Sequence, residues 1–194
     1  MPVGTSRILL VDVDEVLASL QDPVLDIIRK VTDKDWALTD FKVWDLFSVL
    51  TDSQRVLVFK EMARPGFCLG LKPIPGAPEA INKLQGIVEV FAVTNPHDSV
   101  LWVSERYEWL SQHYGLDKDH VAFLSSKYLI SGDWLIEDNL DQLRRWSKSN
   151  PGGVPILWNT VNNNHMSWEG IRVYNWDVVV AMVSESGCYA GTPL

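Results

Sequence analysis

The stretch Arg7-Ile8-Leu9-Leu10-Val11-Asp12-Val13-Asp14-Glu15-Val16-Leu17 constrains the fold more than any other. An uninterrupted apolar run of strand length meets two carboxylates spaced i, i+2. In an extended chain that spacing sets both on one side. At the carboxyl end of a central parallel strand they would overhang the crevice in which open α/β sheets bind ligands. Two acids held close repel, and a bound cation together with a phosphate would give them a reason to stay. The same residues also suit an ordinary buried strand that ends in a polar turn.

Further apolar runs of strand length occupy residues 87–93, 121–124, 134–136 and 155–158. Helical periodicity lies between them. Val24, Leu25, Ile28 and Val31 share a face in a helix opening near Asp22-Pro23. Thr51-Asp52-Ser53-Gln54 is a capping-box pattern that opens a helix running to about Met62. Further helices are read over 79–84, over 99–114 with an apolar stripe of Val103, Tyr107, Leu110 and Tyr114, over 140–147, and from Trp176 behind an Asn175 cap. After Pro73 strands alternate with helices, which is the pattern of a parallel sheet with helices on both faces. The expected fold class is therefore α/β with a Rossmann-like core formed by residues 1–18 and 72–194. Residues 19–71 lack clear strands and read as a helical cap inserted after the first strand.

Composition narrows the function. With 194 residues, 46% hydrophobic and 22% charged, the chain suits one packed domain with a small insertion. Nine tryptophans point to a core or pocket rich in flat apolar surface. The net charge of −8 and the lack of a Lys/Arg cluster argue against a nucleic-acid polymer as partner. Cys68 and Cys188 have no framework spacing, which suits a reducing compartment, and no apolar run approaches the ~20 residues that span a bilayer. A soluble cytoplasmic protein without membrane contact is expected.

Four polar stations follow four successive strands: Asp12 and Asp14, Thr94-Asn95, Lys127, and Glu137-Asp138. Each has a job in phosphoryl transfer. One carboxylate can attack phosphorus, and a second carboxyl can protonate the leaving oxygen and then activate water. A hydroxyl and nearby amides can hold phosphate oxygens, a Lys can neutralise charge, and Mg²⁺ prefers one or two carboxylates with substrate oxygens and waters. Asp12 and Asp138 could supply those carboxylates. Taken singly, Lys127 suits a solvated loop, Thr94-Asn95 a turn, and Glu137-Asp138 a helix cap. Their shared order and position favour the catalytic reading.

This order resembles the haloacid dehalogenase superfamily, and within it the 5′(3′)-deoxyribonucleotidase family. The resemblance is carried by Asp12-Val13-Asp14-Glu15-Val16-Leu17-Ala18, Pro73-Ile74-Pro75-Gly76-Ala77, Ser104 to Leu110 with Tyr114-Gly115, Lys127, and Asp133-Trp134-Leu135-Ile136-Glu137-Asp138. It implies an Mg²⁺-dependent phosphatase for deoxynucleoside monophosphates, and a homodimer. Asp12 would be the nucleophile and Asp14 the acid/base. Mg²⁺ would be held by Asp12, the backbone carbonyl of Asp14, and Asp138, with Glu137 behind them. Thr94, Asn95 and Lys127 would hold phosphate.

The resemblance also implies a cap that closes an aromatic pocket on the base, with Trp44 where the family places one aromatic. The aromatics Trp36, Phe41, Trp44 and Phe47 could equally form the cap's own small core. Leu20 and Cys68 stand where mammalian members have Phe, which loosens the expected base pocket, and Ser125 replaces a substrate-contacting Arg. Glu15 replaces a Gly, at a cost in backbone freedom and with a third carboxylate that could weaken anion binding. Glu137 replaces the first Asp of the pair. His97 is a candidate substrate contact, and Asn162-Asn163-Asn164-His165 reads as a surface loop. The alternatives are a phosphatase for another small phosphate ester and a binding module with weakened catalysis.

Overall fold

The computed structural model describes residues 7–41 and 45–188. In chain order the strands are β1 (Ile8–Val11), β2 (Ala18–Ser19), β3 (Lys72–Pro73), β4 (Glu89–Thr94), β5 (Val121–Phe123), β6 (Trp134–Glu137), β7 (Val154–Trp158) and β8 (Ile171–Val173). The helices are α1 (Gln21–Thr32), α2 (Asp52–Met62), α3 (Ala77–Gln85), α4 (Val100–Tyr114), α5 (Leu140–Ser149) and α6 (Trp176–Cys188).

Six strands form one sheet in the order β5-β4-β1-β6-β7-β8, every pair parallel. From β1 the chain winds outward to β4 and β5 on one side. From β6 it winds outward to β8 on the other. The order reverses beside β1, so the carboxyl end of β1 lies where open α/β sheets bind ligands. The sheet is covered on both faces, as strands apolar on both sides require. Leu9, Val11, Val90, Ala92 and Ile136 join one core with α3, α4 and α6, while Leu10, Val93, Leu135 and Leu157 join a second core with Leu140, Leu143 and Trp146 of α5.

The expected elements appear with small shifts at their ends. Thr51 and Gln54 form the capping box of α2, and the Asn175 side chain accepts an amide of α6. The cap of α5 is Asn139 rather than the acidic pair before it. Three strands escaped the sequence reading. β8 is only Ile171-Arg172-Val173, too short for a period to show. β2 and β3 are a two-residue antiparallel ribbon, with Ala18 opposite Pro73 and Ser19 opposite Lys72. That ribbon clips together the two ends of the inserted segment. Among the described residues the segment contains helices and 3₁₀ turns and adds no strand to the main sheet.

The inward face of α4 differs from the expected stripe. Trp102, Glu105, Arg106, Trp109, Leu110 and Tyr114 are buried, whereas Val103 and Tyr107 are only half-buried. The expected surface loop at Asn162-Asn163 is also wrong, because both residues are buried. Asn163 donates to the carbonyls of Asp138 and Trp158 at 2.8 Å each, and accepts the Thr160 amide at 3.0 Å. A polar side chain that satisfies three backbone groups belongs inside.

Candidate active site

β1 ends at Val11, so Asp12 and Asp14 stand just beyond the strand rather than within it. A tight turn follows in which the amides of Val16, Leu17 and Ala18 all donate to the Val13 carbonyl. This turn, not strand alternation, sets the two side chains. Both face one cavity of about 480 Å³.

The polar floor of that cavity is a cluster of acids around one ammonium. Lys127 enters from a 3₁₀ turn after β5, and its Nζ lies 2.5 Å from Asp12 Oδ1 and 2.6 Å from Glu137 Oε2. Glu137 also accepts the Asn139 amide at 2.9 Å. Asp12, Glu137 and Asp138 are all buried, each with a carboxylate oxygen within 4.8 Å of the others'. Burial, and then the charge of Glu137, push Asp12 up to about 7 although Lys127 pulls it down. Burial, and then the charges of Glu137, Asp12 and Glu15, raise Asp138 well above the usual carboxylate range against the pull of Lys127. Burial opposes the Lys127 charge, but Asp12 and Glu137 outweigh it and hold the ammonium above its ordinary range. One ammonium among three carboxylates leaves the cluster short of positive charge. An oxygen-rich pocket with that deficit fits a divalent cation.

Asp14 is placed differently. Its Oδ1 accepts from Arg106 at 2.6 Å, and its side chain keeps 29% exposure. Burial raises its pKa against the pull of Arg106.

Glu15 has a φ of 63°, the left-handed region in which a Gly is at ease. Its Oε1 accepts the amides of Leu20 and Gln21 at 2.7 and 2.6 Å, so it caps α1 from five residues upstream. Burial lifts its pKa to about 7, and those two amides pull the other way.

One wall of the cavity is aromatic. Phe47, Phe59, His97 and Trp102 form a chain of rings, with centroid separations of 5.0, 5.6 and 5.0 Å between successive members. His97 Nδ1 accepts the Ser99 amide at 3.0 Å, which leaves the neutral ring's proton on Nε2. That Nε2 is buried without a protein partner, and burial lowers the His97 pKa.

The remaining expected residues divide. Leu20 and Asn95 line the cavity. Thr94 is buried at the end of β4, one residue back from Asn95. Ser125 lies beside the cavity, where its hydroxyl donates to Asn95 Oδ1 at 2.5 Å and its carbonyl accepts from Gln142, another wall residue. Cys68 is fully buried in the apolar core and not on the wall, because a small apolar side chain packs there; burial pushes its thiol up to about 12. Trp44 lies outside the described residues. Trp36 and Phe41 pack on each other at 5.6 Å, with Phe41 in the core, so of the loop's described aromatics Phe47 alone lines the cavity.

The sequence reading missed Arg106, Phe59, Trp102 and the Asn163 network. The spacing Trp102, Arg106, Trp109 was the available signal, since i, i+4, i+7 share one helix face.

Comparison with known proteins now adds to this geometry. Residues 6–186 match the model of the family described as 5′ nucleotidase, deoxy (pyrimidine), cytosolic type C protein. A Staphylococcus aureus protein with the provisional name 5′(3′)-deoxyribonucleotidase is 28% identical over 181 residues, covering 89% of this chain and 97% of its own. The human cytosolic-type 5′(3′)-deoxyribonucleotidase is 32% identical over 109 residues, covering 53% of this chain and 52% of its own. Among solved structures, a haloacid dehalogenase family hydrolase from Deinococcus radiodurans superposes with a TM-score of 0.62 at 14% identity, covering 96% of this chain and 99% of its own. That likeness shows the fold, a haloacid dehalogenase-like core.

Proposed function

The chain belongs to the cytosolic type C 5′-deoxynucleotidase family, and on that premise we propose that it is an Mg²⁺-dependent phosphatase of deoxynucleoside monophosphates working through an aspartyl phosphate. As a 5′-nucleotidase-type enzyme it is a phosphoric monoester hydrolase. The observation that carries the reading is the pairing within one cavity of a buried acid–ammonium floor, Asp12, Lys127, Glu137 and Asp138, with a wall of aromatic rings in contact. With a divalent cation bound the floor would suit a phosphate, and the wall suits a base. Aromatic faces are worth about 1–3 kcal/mol per stacked base.

In the proposed reaction an Asp12 carboxylate oxygen attacks phosphorus. The bond from phosphorus to the nucleoside oxygen breaks, and Asp14 gives that oxygen its proton. Water then attacks the phosphoryl group, and Asp14 takes the water's proton. The bond from phosphorus to Asp12 breaks, which releases inorganic phosphate and restores both acids. Lys127 shares its charge between Asp12 and the phosphoryl oxygens, and Asn95 holds phosphate with Thr94 behind it. Glu137 keeps Lys127 in place. Asp12, Asp138 and the backbone carbonyl of Asp14 would hold Mg²⁺, which when bound supplies the missing positive charge beside the nucleophile. Inserted residues 19–71 serve as the cap over this site.

Glu15 weighs against the weakened-module alternative. Its carboxylate is engaged by the Leu20 and Gln21 amides at the start of α1, so it holds the fold rather than occupying the acid–ammonium floor. The name of the human relative supports a cytoplasmic location. Among the described residues no helix is long and apolar enough to cross a membrane.

The test is phosphate release across a panel of nucleoside monophosphates and small phosphate esters, with Mg²⁺ and with EDTA. Deoxynucleotides are expected to lead the panel, and activity should vanish in chelator and return with Mg²⁺. Asp12→Asn should lose roughly three or more orders of magnitude in turnover, as the loss of a nucleophile does. Turnover of Asp12→Asn near that of wild type would refute the mechanism.

A further inference from the structure

Arg106 is fully buried on α4, and its Nη2 donates to Asp14 Oδ1 at 2.6 Å. Charged side chains are almost never fully buried unless paired. Its Nε and Nη1 have no hydrogen-bond partner among the described residues. What compensates them is aromatic: the guanidinium carbon lies 5.2 Å from the Trp102 ring centroid and 5.6 Å from that of Trp109. A planar cation held between two rings has little rotational freedom, so the direction of its one carboxylate bond is fixed.

The same helix face grips the inserted segment. Glu105 accepts the amides of Gly66 and Leu69 at 2.7 and 3.4 Å, and Trp109 Nε1 donates to the Leu71 carbonyl at 2.8 Å. Tyr114 donates its hydroxyl to the Leu17 carbonyl at 2.7 Å. α4 is thus tied to the exit of the segment, to the turn before it, and to Asp14.

We propose that Arg106 is a positioning residue that aims the Asp14 carboxyl for proton transfer to the leaving oxygen. This rests on the reading of Asp14 as acid/base. Arg106 itself does not line the cavity, so it acts through Asp14. An acid held in one orientation transfers its proton without first searching for it, and misplacement by about 1 Å can cost roughly 10²-fold.

The experiment compares kcat and KM of wild type and Arg106→Lys, with Mg²⁺, on a deoxynucleoside monophosphate and on p-nitrophenyl phosphate. The nucleoside oxygen leaves as a strong base and needs a proton, whereas p-nitrophenolate leaves without one. Arg106→Lys should lower kcat/KM on the nucleotide by about 10–100-fold, within the range of general acid catalysis. On p-nitrophenyl phosphate the loss in kcat/KM, which ends at departure of the leaving group, should stay below about 3-fold, whereas kcat, which includes the Asp14-assisted attack of water, falls on both substrates. In an Asp14→Asn background the same substitution should cost less than about 2-fold more, since a residue acting through Asp14 has nothing left to aim. Arg106→Gln, which drops the charge but can still donate to Asp14, should show the same split and stands in if Arg106→Lys does not fold. Equal losses of kcat/KM on the two substrates, or a full further loss in the Asp14→Asn background, would overturn the role of Arg106. A wild-type protein inactive on both substrates would instead overturn the phosphatase reading, and this proposal with it.

Discussion

Replacing Glu15 pulls apart two opposing effects that one residue carries. Its φ of 63° costs a residue with a Cβ about 1–2 kcal/mol. Its carboxylate holds the Leu20 and Gln21 amides at 2.7 and 2.6 Å, where Leu20 itself offers no side-chain cap. A cap contributes about 0.5–2 kcal/mol, and because both amides meet Oε1 it persists when the other oxygen is protonated below the raised pKa of about 7. Glu15→Ala removes the cap and keeps the strained backbone, so at pH 6 it should lose about 0.5–2 kcal/mol. Glu15→Gly removes both and should recover about 1 kcal/mol of that loss. Urea unfolding of the metal-free protein, followed by tryptophan fluorescence, reads both differences. If Ala and Gly prove equally stable, the backbone carries no strain. If neither is less stable than wild type, the carboxylate does not hold α1.

Lys127, Asn163 and Cys68 each carry a further expected outcome. Lys127→Met leaves Asp12 and Glu137 without their shared ammonium and should cut turnover by about 10²–10³-fold, the size of effect seen when an anion-stabilising donor is lost; steady-state kinetics at saturating Mg²⁺ would contradict this with turnover within a few-fold of wild type. Asn163→Ala abandons the buried Asp138 and Trp158 carbonyls and the Thr160 amide and should destabilise the fold by about 2–4 kcal/mol in urea. The same variant should weaken the Mg²⁺ requirement curve by about 10–100-fold, and an unchanged curve would separate Asn163 from the metal site. Cys68, fully buried with its thiol raised to about 12, should resist a thiol reagent at pH 8 in a Cys188→Ser background until the protein unfolds; rapid labelling of the native protein would refute that.

The buried strands were legible because parallel strands covered on both faces read as unbroken apolar runs, and Leu9, Val90, Leu135 and Ile156 all sit where such runs predict. Asp12, Lys127, Glu137 and Asp138 were legible because each follows a strand, and a parallel sheet brings strand ends together. What stayed hidden depends on contacts between distant segments. Glu105 and Arg106 look like the solvent side of α4 until Gly66, Leu69 and Asp14 arrive as partners. Asn163 looks like loop surface until the carbonyls of Asp138 and Trp158 need a donor. Of the aromatic loop at 36–47 only Phe47 among the described residues reaches the cavity, and α2 and α4 supply Phe59 and Trp102 beside it. Hydrophobic periodicity counts every charge as facing outward, so it misplaces a charge whose partners lie inside the protein.

The short ribbon of β2 and β3 has a consequence for how such a chain can change over evolutionary time. With Ser19 opposite Lys72, and the Ile74 amide on the Leu17 carbonyl at 2.8 Å, the two ends of the insertion meet before the insertion itself begins. Closing a loop whose ends already meet costs only about 0.6 kcal/mol for each doubling of its length. Residues between these ends can therefore be lengthened, shortened or exchanged with little penalty to the sheet. Asp12, Lys127, Glu137 and Asp138 stay on the sheet side of the ribbon with His97 and Trp102, while Leu20, Phe47 and Phe59 lie on the exchangeable side. Part of the cavity wall can thus be rebuilt without touching its acidic floor, across a two-residue seam.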